Sequence, residues 1–487
     1  MSPLVDATQR TILFLIADTG AGHRSAANAI SNAMKLISQQ EQETWQAQRA
    51  VEQANDGTTV EQSTSTPELP PTTYRIEIVD VFEEYSRFPL REAVKLYGPT
   101  IRYNPKLFGE VFHRSNREGV ALAVNSLASP LIFNGLLRLF TTVQPDIVVS
   151  IHPMINFVTI RVLRELGLHI PFITVVTDLV SVHFAWFAPG ADAYIVPTEQ
   201  AKELYLRRGL DANRVRILGM PIDPKFTRPV DSKEELLRKF GLKPGLPVVL
   251  LVGGGDGAGG LQTAVRAISQ ARLTVQLLVV TGRNKKLYAY LQRTRSRLHV
   301  PAKIFGFVHN MPELMHASDV IITKAGPGTI CEAVACNLPI ILSGYVPGQE
   351  EGNVDYVVHN GLGVLALDPA TLIDSLRRLI KPGSPEMRKR LENAERMRRP
   401  MASFDIARCL FGYLPSADKQ SVWQSVQWQS RHRKMTGRLQ SAIRIRRLRG
   451  RLPRRLLKNS PMPRLPLLRS RTWDLSKERA RPLNKNR

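Results

Sequence analysis

Short apolar runs recur along this chain, separated by stretches with helical periodicity, and most of them end at turns rich in glycine or aspartate. The first run, residues 11–17 (Thr-Ile-Leu-Phe-Leu-Ile-Ala), has the length of a strand and no polar face. A strand of that kind is buried on both sides, as in parallel sheets. Behind it Ala26, Ile30, Ala33 and Ile37 recur every three or four residues, which predicts a helix with one apolar face. Further strands are predicted at 75–81, 146–151, 172–177 and 193–196, with a helical segment at 156–167 and a loop at 180–190. The alternation restarts at 247–252 and continues at 273–281, 303–307, 319–323 and 339–342. Two blocks of alternating strands and helices predict an α/β chain of two Rossmann-like domains facing a cleft.

The boundaries follow from where the pattern breaks. Residues 10–218 form the first domain, 219–244 a linker around Gly219-Met220-Pro221-Ile222-Asp223-Pro224, and 245–400 the second domain. A helix at 401–416 is expected to pack back on the first domain. Residues 39–73 turn Gln/Glu/Thr/Pro-rich and are read as a frayed helix end plus a disordered insertion. Residues 85–140 mix aromatic, basic and aliphatic positions, among them Arg91, Lys95, Tyr97, Arg102, Tyr103, Phe108 and Phe112. Two readings stay open there: ordinary amphipathic helices, or a surface that meets lipid head groups.

Composition changes this picture mainly at one end. A chain of 487 residues with 43% hydrophobic content can build two or three domains with real cores. The net charge is +25, but residues 431–487 hold 20 Lys and Arg against 2 Asp and Glu, so +18 of it sits in a tail. Such a tail suits non-specific binding to nucleic-acid phosphate, attachment to anionic lipid, or plain solvation as a disordered segment. The three cysteines (Cys331, Cys336, Cys409) lack the spacing of a zinc site or a disulfide framework. No run approaches the roughly 18–20 apolar residues that span a bilayer, so any membrane contact is expected to be peripheral.

Candidate chemistry gathers at the turns. Thr323-Lys324-Ala325-Gly326-Pro327-Gly328-Thr329-Ile330-Cys331-Glu332-Ala333 follows a buried run and leads into a helix. There the backbone N–H groups and helix dipole at Gly326, Gly328 and Thr329 favour an anion. Glu332, one turn in, is either a solvated carboxylate or a group that accepts two hydrogen bonds from a ribose diol. About twenty residues on, Pro347-Gly348-Gln349-Glu350-Glu351-Gly352-Asn353 sets Gln349, Glu350 and Asn353 in a glycine-flanked loop, either solvated or placed on sugar hydroxyls. A diphosphate site beside a sugar-reading loop points to a nucleotide-sugar enzyme. Gly253, Gly254, Gly255, Asp256 and Gly257 open a second glycine loop after a strand, without the Lys-Ser/Thr ending of a P-loop. In the first domain Asp18-Thr19-Gly20-Ala21-Gly22-His23-Arg24 lies at a strand's carboxyl end, where open α/β sheets bind ligands. Gly20 and Gly22 let a ligand approach, and His23 is either a general base or a structural histidine. Asp178 follows the strand at 172–177 and is a second candidate for orienting or base work. Asp178 and His183 lack a third metal ligand.

Three motifs, 18–25, 323–333 and 347–353, resemble those of the monogalactosyldiacylglycerol synthase and processive diacylglycerol β-glucosyltransferase family, relatives of the N-acetylglucosaminyltransferase of peptidoglycan lipid precursors. The similarity runs over about residues 11–414, apart from the insertion at 39–73. It implies a GT-B fold, with an acceptor domain first and a UDP-sugar domain second. It implies inverting, metal-independent transfer of galactose or glucose from UDP-galactose or UDP-glucose to diacylglycerol, with no cofactor. By motif position His23 is similar to the family's base, Glu332 to its ribose carboxylate, and Glu350 and Asn353 to its sugar binders. Residues 253–257 resemble its diphosphate loop. Charge developing on the leaving diphosphate is expected to be held at the helix start, Gly328 and Thr329, with Lys324 assisting there. The expected partners are diacylglycerol and anionic membrane lipids, with no specific nucleic acid, at the cytoplasmic face of the cell membrane. A different lipid-linked acceptor, or nucleic-acid binding through the tail, are the alternatives.

Overall fold

The computed structural model describes residues 9–55, 71–253, 260–415 and Trp423. The basic tail at 431–487, most of the insertion after residue 55, and Gly254, Gly255, Asp256 and Gly257 lie outside the described residues.

Twelve strands form two sheets, all parallel. The first holds β1 (Gln9–Ile16), β2 (Thr73–Asp80), β3 (Ile147–Ser150), β4 (Phe172–Val175), β5 (Ala193–Val196) and β6 (Val215–Ile217), in the order β2-β1-β3-β4-β5-β6. The second holds β7 (Val248–Val252), β8 (Gln276–Val280), β9 (Ala302–Phe305), β10 (Val320–Lys324), β11 (Ile340–Gly344) and β12 (Gly363–Leu365), ordered β12-β11-β10-β7-β8-β9. Each order reverses direction once, between β1 and β3 and between β7 and β10. A crevice opens outside the carboxyl ends of the strands at such a switch point.

The absence of a polar face in the strands now has its explanation. In β1, Leu13 and Leu15 pack on one side with Leu136, Phe140 and Trp186, while Ile12, Phe14 and Ile16 pack on the other with Ile30 and Met34. In β7, Leu250 and Val252 face one core, while Val249 and Leu251 face the next. Burial on both faces leaves the strand ends as the places where polar side chains can meet solvent and ligand.

Three expectations need correction. The helix begun by Ala26 and Ile30 spans Ala21–Asn55, so the first part of the expected insertion is helical. Residues 38–55 contain no glycine or proline and are rich in Gln, Glu, Ala and Arg, which favour helix. Contacts one turn apart support it: Gln39 donates to Glu43 at 2.8 Å, and the Arg49 guanidinium lies 4.9 Å from the Trp45 ring centroid. The expected linker at 219–244 is part of the second domain. Met220, Ile222, Phe226, Leu236, Leu237 and Leu242 are buried in its core, and a helix at Lys233–Lys239 starts at a Ser232–Glu235 capping box. Finally, the helix Glu118–Val143 is long and apolar enough to cross a membrane. Asn125, Ser126, Ser129 and Asn134 interrupt its apolar run, so the sequence there shows no continuous apolar stretch of spanning length. Here Ile132, Leu136, Leu139 and Phe140 bury its second half against the first sheet, while Val120, Val124 and Leu127 stay exposed.

The last described helix, Ala402–Phe411, leaves the second domain and packs on the first. Ile406, Ala407 and Leu410 join the cluster of Ile12, Phe14 and Ile30, and Phe411 stacks on Tyr74 with centroids 4.4 Å apart, while Ser403 at the helix start still bonds the second domain, donating to the Ile222 carbonyl at 2.6 Å. Leu410→Ala removes a fully buried side chain from this strap. It is expected to destabilise the first domain by about 2–5 kcal/mol, read as a fall in the urea midpoint followed by far-UV circular dichroism.

Candidate active site

The carboxyl ends of the two sheets face one cleft of about 1620 Å³. Its walls carry seven Lys and Arg side chains (Arg24, Lys95, Lys225, Arg283, Lys285, Lys286, Lys324) and two carboxylates (Asp18, Asp223). That excess of positive charge in a concave site attracts an anionic ligand. Among the described residues no cluster of three or more His, Cys, Asp or Glu is arranged to hold a metal.

One wall is the turn after β1. Asp18 takes the Arg24 Nε–H through both oxygens, at 2.9 and 2.7 Å, which fixes the turn at the start of the helix. Gly20 has φ +139°, a backbone conformation that a side chain strongly disfavours, and Gly22 is exposed with open space around it. His23 is half-buried, with Nδ1 3.3 Å from Thr177 Oγ1. Its ring meets that of His152 edge to face, with centroids 4.8 Å apart. Burial pushes the His23 imidazole down to about 4, against the opposing pull of the Ile151 carbonyl and Asp18. The ring is therefore neutral at pH 7 and able to accept a proton.

Sequence reading missed His152. It follows β3, is buried, and packs its ring against that of His23. Its Nδ1 accepts from the Met154 N–H at 3.3 Å, which leaves the proton on Nε2, 3.4 Å from Thr19 Oγ1. Burial, with His23 and His183 nearby, holds it well below the usual histidine range. The one signal for it was its place just past a strand's carboxyl end beside the switch point. Asp178 is directed elsewhere: its carboxylate accepts the Trp186 indole N–H at 2.7 Å, and burial raises it to about 6. The structure brings the neighbouring Thr177, not Asp178, to the His23 ring.

The opposite wall is built from the turns after β10 and β11. Gly326 precedes the helix Pro327–Ala335, with Pro327 in its first turn, where a missing N–H costs nothing. Gly328 has no neighbour within 4 Å of where a Cβ would stand, and Gly328 and Thr329 lie in the open first turn. Glu332 is half-buried. Burial raises its carboxyl to about 7, with Lys225 pulling it down and Asp223 pushing it up. It thus stands beside two residues of the cleft wall. Gly253 follows β7, its N–H bonded to the Val280 carbonyl at 3.2 Å.

The loop at 347–353 is built differently from the sequence expectation. Glu350 is buried, its Oε2 accepting from the Val346 N–H at 2.9 Å and its Oε1 from the Lys324 ammonium. Asn353 is buried and donates to the Ala325 carbonyl at 2.9 Å. Both side chains brace one loop against the other, because a polar group removed from water must find a protein partner. Gln349 accepts from the Tyr97 hydroxyl at 2.7 Å, across to the first domain. Glycines permit that approach. A Cβ on Gly348 (φ +78°) would stand 2.9 Å from the Phe112 ring, and one on Gly352 would stand 2.1 Å from Ser181 Oγ.

Comparison with known proteins adds what geometry alone does not. Residues 67–222 match the family model described as monogalactosyldiacylglycerol (MGDG) synthase, and residues 248–406 match the glycosyltransferase family 28 C-terminal domain. A probable monogalactosyldiacylglycerol synthase 2, chloroplastic, of Oryza sativa subsp. japonica is 35% identical over 411 residues, covering 82% of this chain and 80% of that protein. Monogalactosyldiacylglycerol synthase 3, chloroplastic, of Arabidopsis thaliana is 34% identical with the same coverage. Among solved structures, Acinetobacter baumannii MurG has a TM-score of 0.50 at 13% identity, over 83% of this chain and 99% of that one. The UDP-GlcNAc 2-epimerase of Neisseria meningitidis has a TM-score of 0.51 at 14% identity, over 83% and 100%. The fold is therefore GT-B. The expected location at the cytoplasmic face of the cell membrane is overturned, since these curated relatives are chloroplastic plant enzymes.

The state of His23 can be checked directly. Its ring is expected to titrate near pH 4 in a ¹⁵N-histidine NMR titration assigned with His23→Asn. A midpoint near the ordinary value of about 6.5 would show an open, solvated ring.

Proposed function

The chain belongs to the monogalactosyldiacylglycerol synthase family, and from that premise we propose that it transfers galactose from UDP-galactose to the free hydroxyl of diacylglycerol, with inversion and without a metal ion. The observation that carries this reading is one basic cleft with the turn that leads to His23 (Asp18, Thr19, Gly20, Arg24) on one wall and, on the other, Lys324 beside the start of the helix Pro327–Ala335. His23 takes the proton of the acceptor hydroxyl as that oxygen bonds to the anomeric carbon. The bond from that carbon to the β-phosphate oxygen breaks on the opposite face, and UDP leaves with an added negative charge. The first turn of the helix Pro327–Ala335 and the cationic wall receive that charge, work that a metal ion does in other transferases. Glu332 is assigned to the ribose. Galactose is preferred over glucose because the named relatives are galactolipid synthases.

An acceptor with two acyl chains has to be taken from a bilayer. Phe88, Tyr103 and Leu127 are each at least 78% exposed, and Leu107 and Val111 are also exposed, on the first domain's helical segments at 88–127. Arg91, Lys95 and Lys106 are exposed among them. Apolar side chains within a basic collar suit an anionic lipid surface. We take this face as the peripheral docking surface.

With diacylglycerol in anionic vesicles, UDP-galactose is expected to yield a β-galactosyl lipid, and UDP-glucose roughly tenfold less or lower. EDTA should leave the rate unchanged. His23→Asn should lower kcat by about 10²–10⁴-fold while UDP affinity by calorimetry stays the same. No glycolipid from either donor sinks the proposal, and near-normal turnover by His23→Asn removes His23 as the base.

A further inference from the structure

Three observations converge on Lys324. It is the last residue of β10, and the register against β11 shifts between Thr323 and Lys324, so that Lys324 pairs with Gly344. Irregularities of this kind re-aim a side chain beside functional sites. Here the side chain reaches the cleft wall while remaining only 25% exposed. Next, Gly326 leaves room for it: a Cβ at that position would stand 3.3 Å from Lys324 Nζ. The ammonium therefore lies over the residue that precedes the helix Pro327–Ala335. Finally, Glu350 grips it from behind. Glu350 is 5% exposed, and its other oxygen is taken by the Val346 N–H.

An ammonium beside a helix N-terminus is opposed by the partial positive charge of that end. It stays there because a buried carboxylate offsets the repulsion. An ammonium has three N–H donors; Glu350 takes one, which leaves two directed away from it. An anion bound at the helix start would satisfy both the spare donors and the helix end.

We propose that Lys324 is the cation that contacts the departing diphosphate, and that Glu350 is its positioning residue and not a reader of sugar hydroxyls. This rests on the reading of the cleft as a UDP-sugar site. When the bond between the anomeric carbon and the β-phosphate oxygen breaks, the electron pair goes to that oxygen and Lys324 meets the new charge without giving up a proton. The acceptor's proton goes to His23 on the opposite wall.

The test uses the full chain as wild type, Lys324→Met, Glu350→Gln, Lys324→Arg and the Lys324→Met/Glu350→Gln pair. Lys324→Met is expected to lower kcat on the order of 10²–10³-fold and to weaken UDP binding by calorimetry. Glu350→Gln is expected to lose both in the same direction and less severely. The double variant should match Lys324→Met, since Glu350 acts through the ammonium and coupled residues are not additive. Lys324→Arg, which keeps the charge, should recover UDP binding in part. Thermal melts identify any variant lost to misfolding, and the double variant keeps the pair charge-balanced. If Glu350→Gln raises KM for the sugar donor with UDP affinity intact, and its effect multiplies with that of Lys324→Met, then Glu350 reads the sugar and the inference is wrong. Unchanged turnover and UDP affinity in Lys324→Met overturn it equally. A wild type that binds no UDP removes the donor reading itself.

Discussion

A parallel strand buried on both faces has one free place for chemistry, its carboxyl end, and this molecule is arranged around that constraint. Leu13 and Leu15 on one side of β1, with Ile12, Phe14 and Ile16 on the other, leave no surface of the sheet open to a ligand. Polar side chains collect instead in the turns after β1, β3, β4, β10 and β11. Two such sheets with their carboxyl ends toward each other produce a cleft walled by those turns and by helices, among them Tyr97–Tyr103. Transfer chemistry suits that geometry, because acceptor and donor must approach one carbon from opposite sides.

The electrostatics of the two walls differ for a physical reason. His23 and His152 sit in dense surroundings with little water, and burial keeps both rings neutral. The opposite wall carries Lys225, Arg283, Lys285, Lys286 and Lys324 beside a helix N-terminus. One side can take up a proton while the other takes up negative charge. The first domain's own cleft cation next to His23, Arg24, is paired with Asp18, while most of the cleft's cations stand on the second domain.

The loop at 347–353 ties the walls together. Gln349 meets Tyr97, Gly348 lies against Phe112, and His113 stands 3.4 Å from Glu351. The helix Pro105–Ser115 thus touches this loop on one face and exposes Leu107 and Val111 on another. Close approach of this kind needs residues without a Cβ, which accounts for Gly109 and Gly348 at the contact.

Much of the fold was legible in the chain itself. Continuous apolar runs bounded by turns mark buried parallel strands, since the strand interior depends on local composition and on burial at both faces. The glycine turns at 18–24 and 323–333 were legible too, because a helix start that binds an anion has a local requirement for small residues. Helix propensity at 38–55 and the averaged apolarity of Glu118–Val143 were also present in the sequence, and were obscured by polar residues that change neither. The tertiary structure alone decided which side chains meet. His152 lies 129 positions from His23 and reaches it only because β1 and β3 are neighbours. Lys324 and Glu350 pair because β10 and β11 lie side by side with a shifted register. Asp178 faces Trp186 instead of His23 because of how the segment after β4 turns. Sequence determined the elements and the places where ligands bind, through local patterns; the role of each polar side chain was set by partners distant in sequence, which only packing brings within hydrogen-bonding distance.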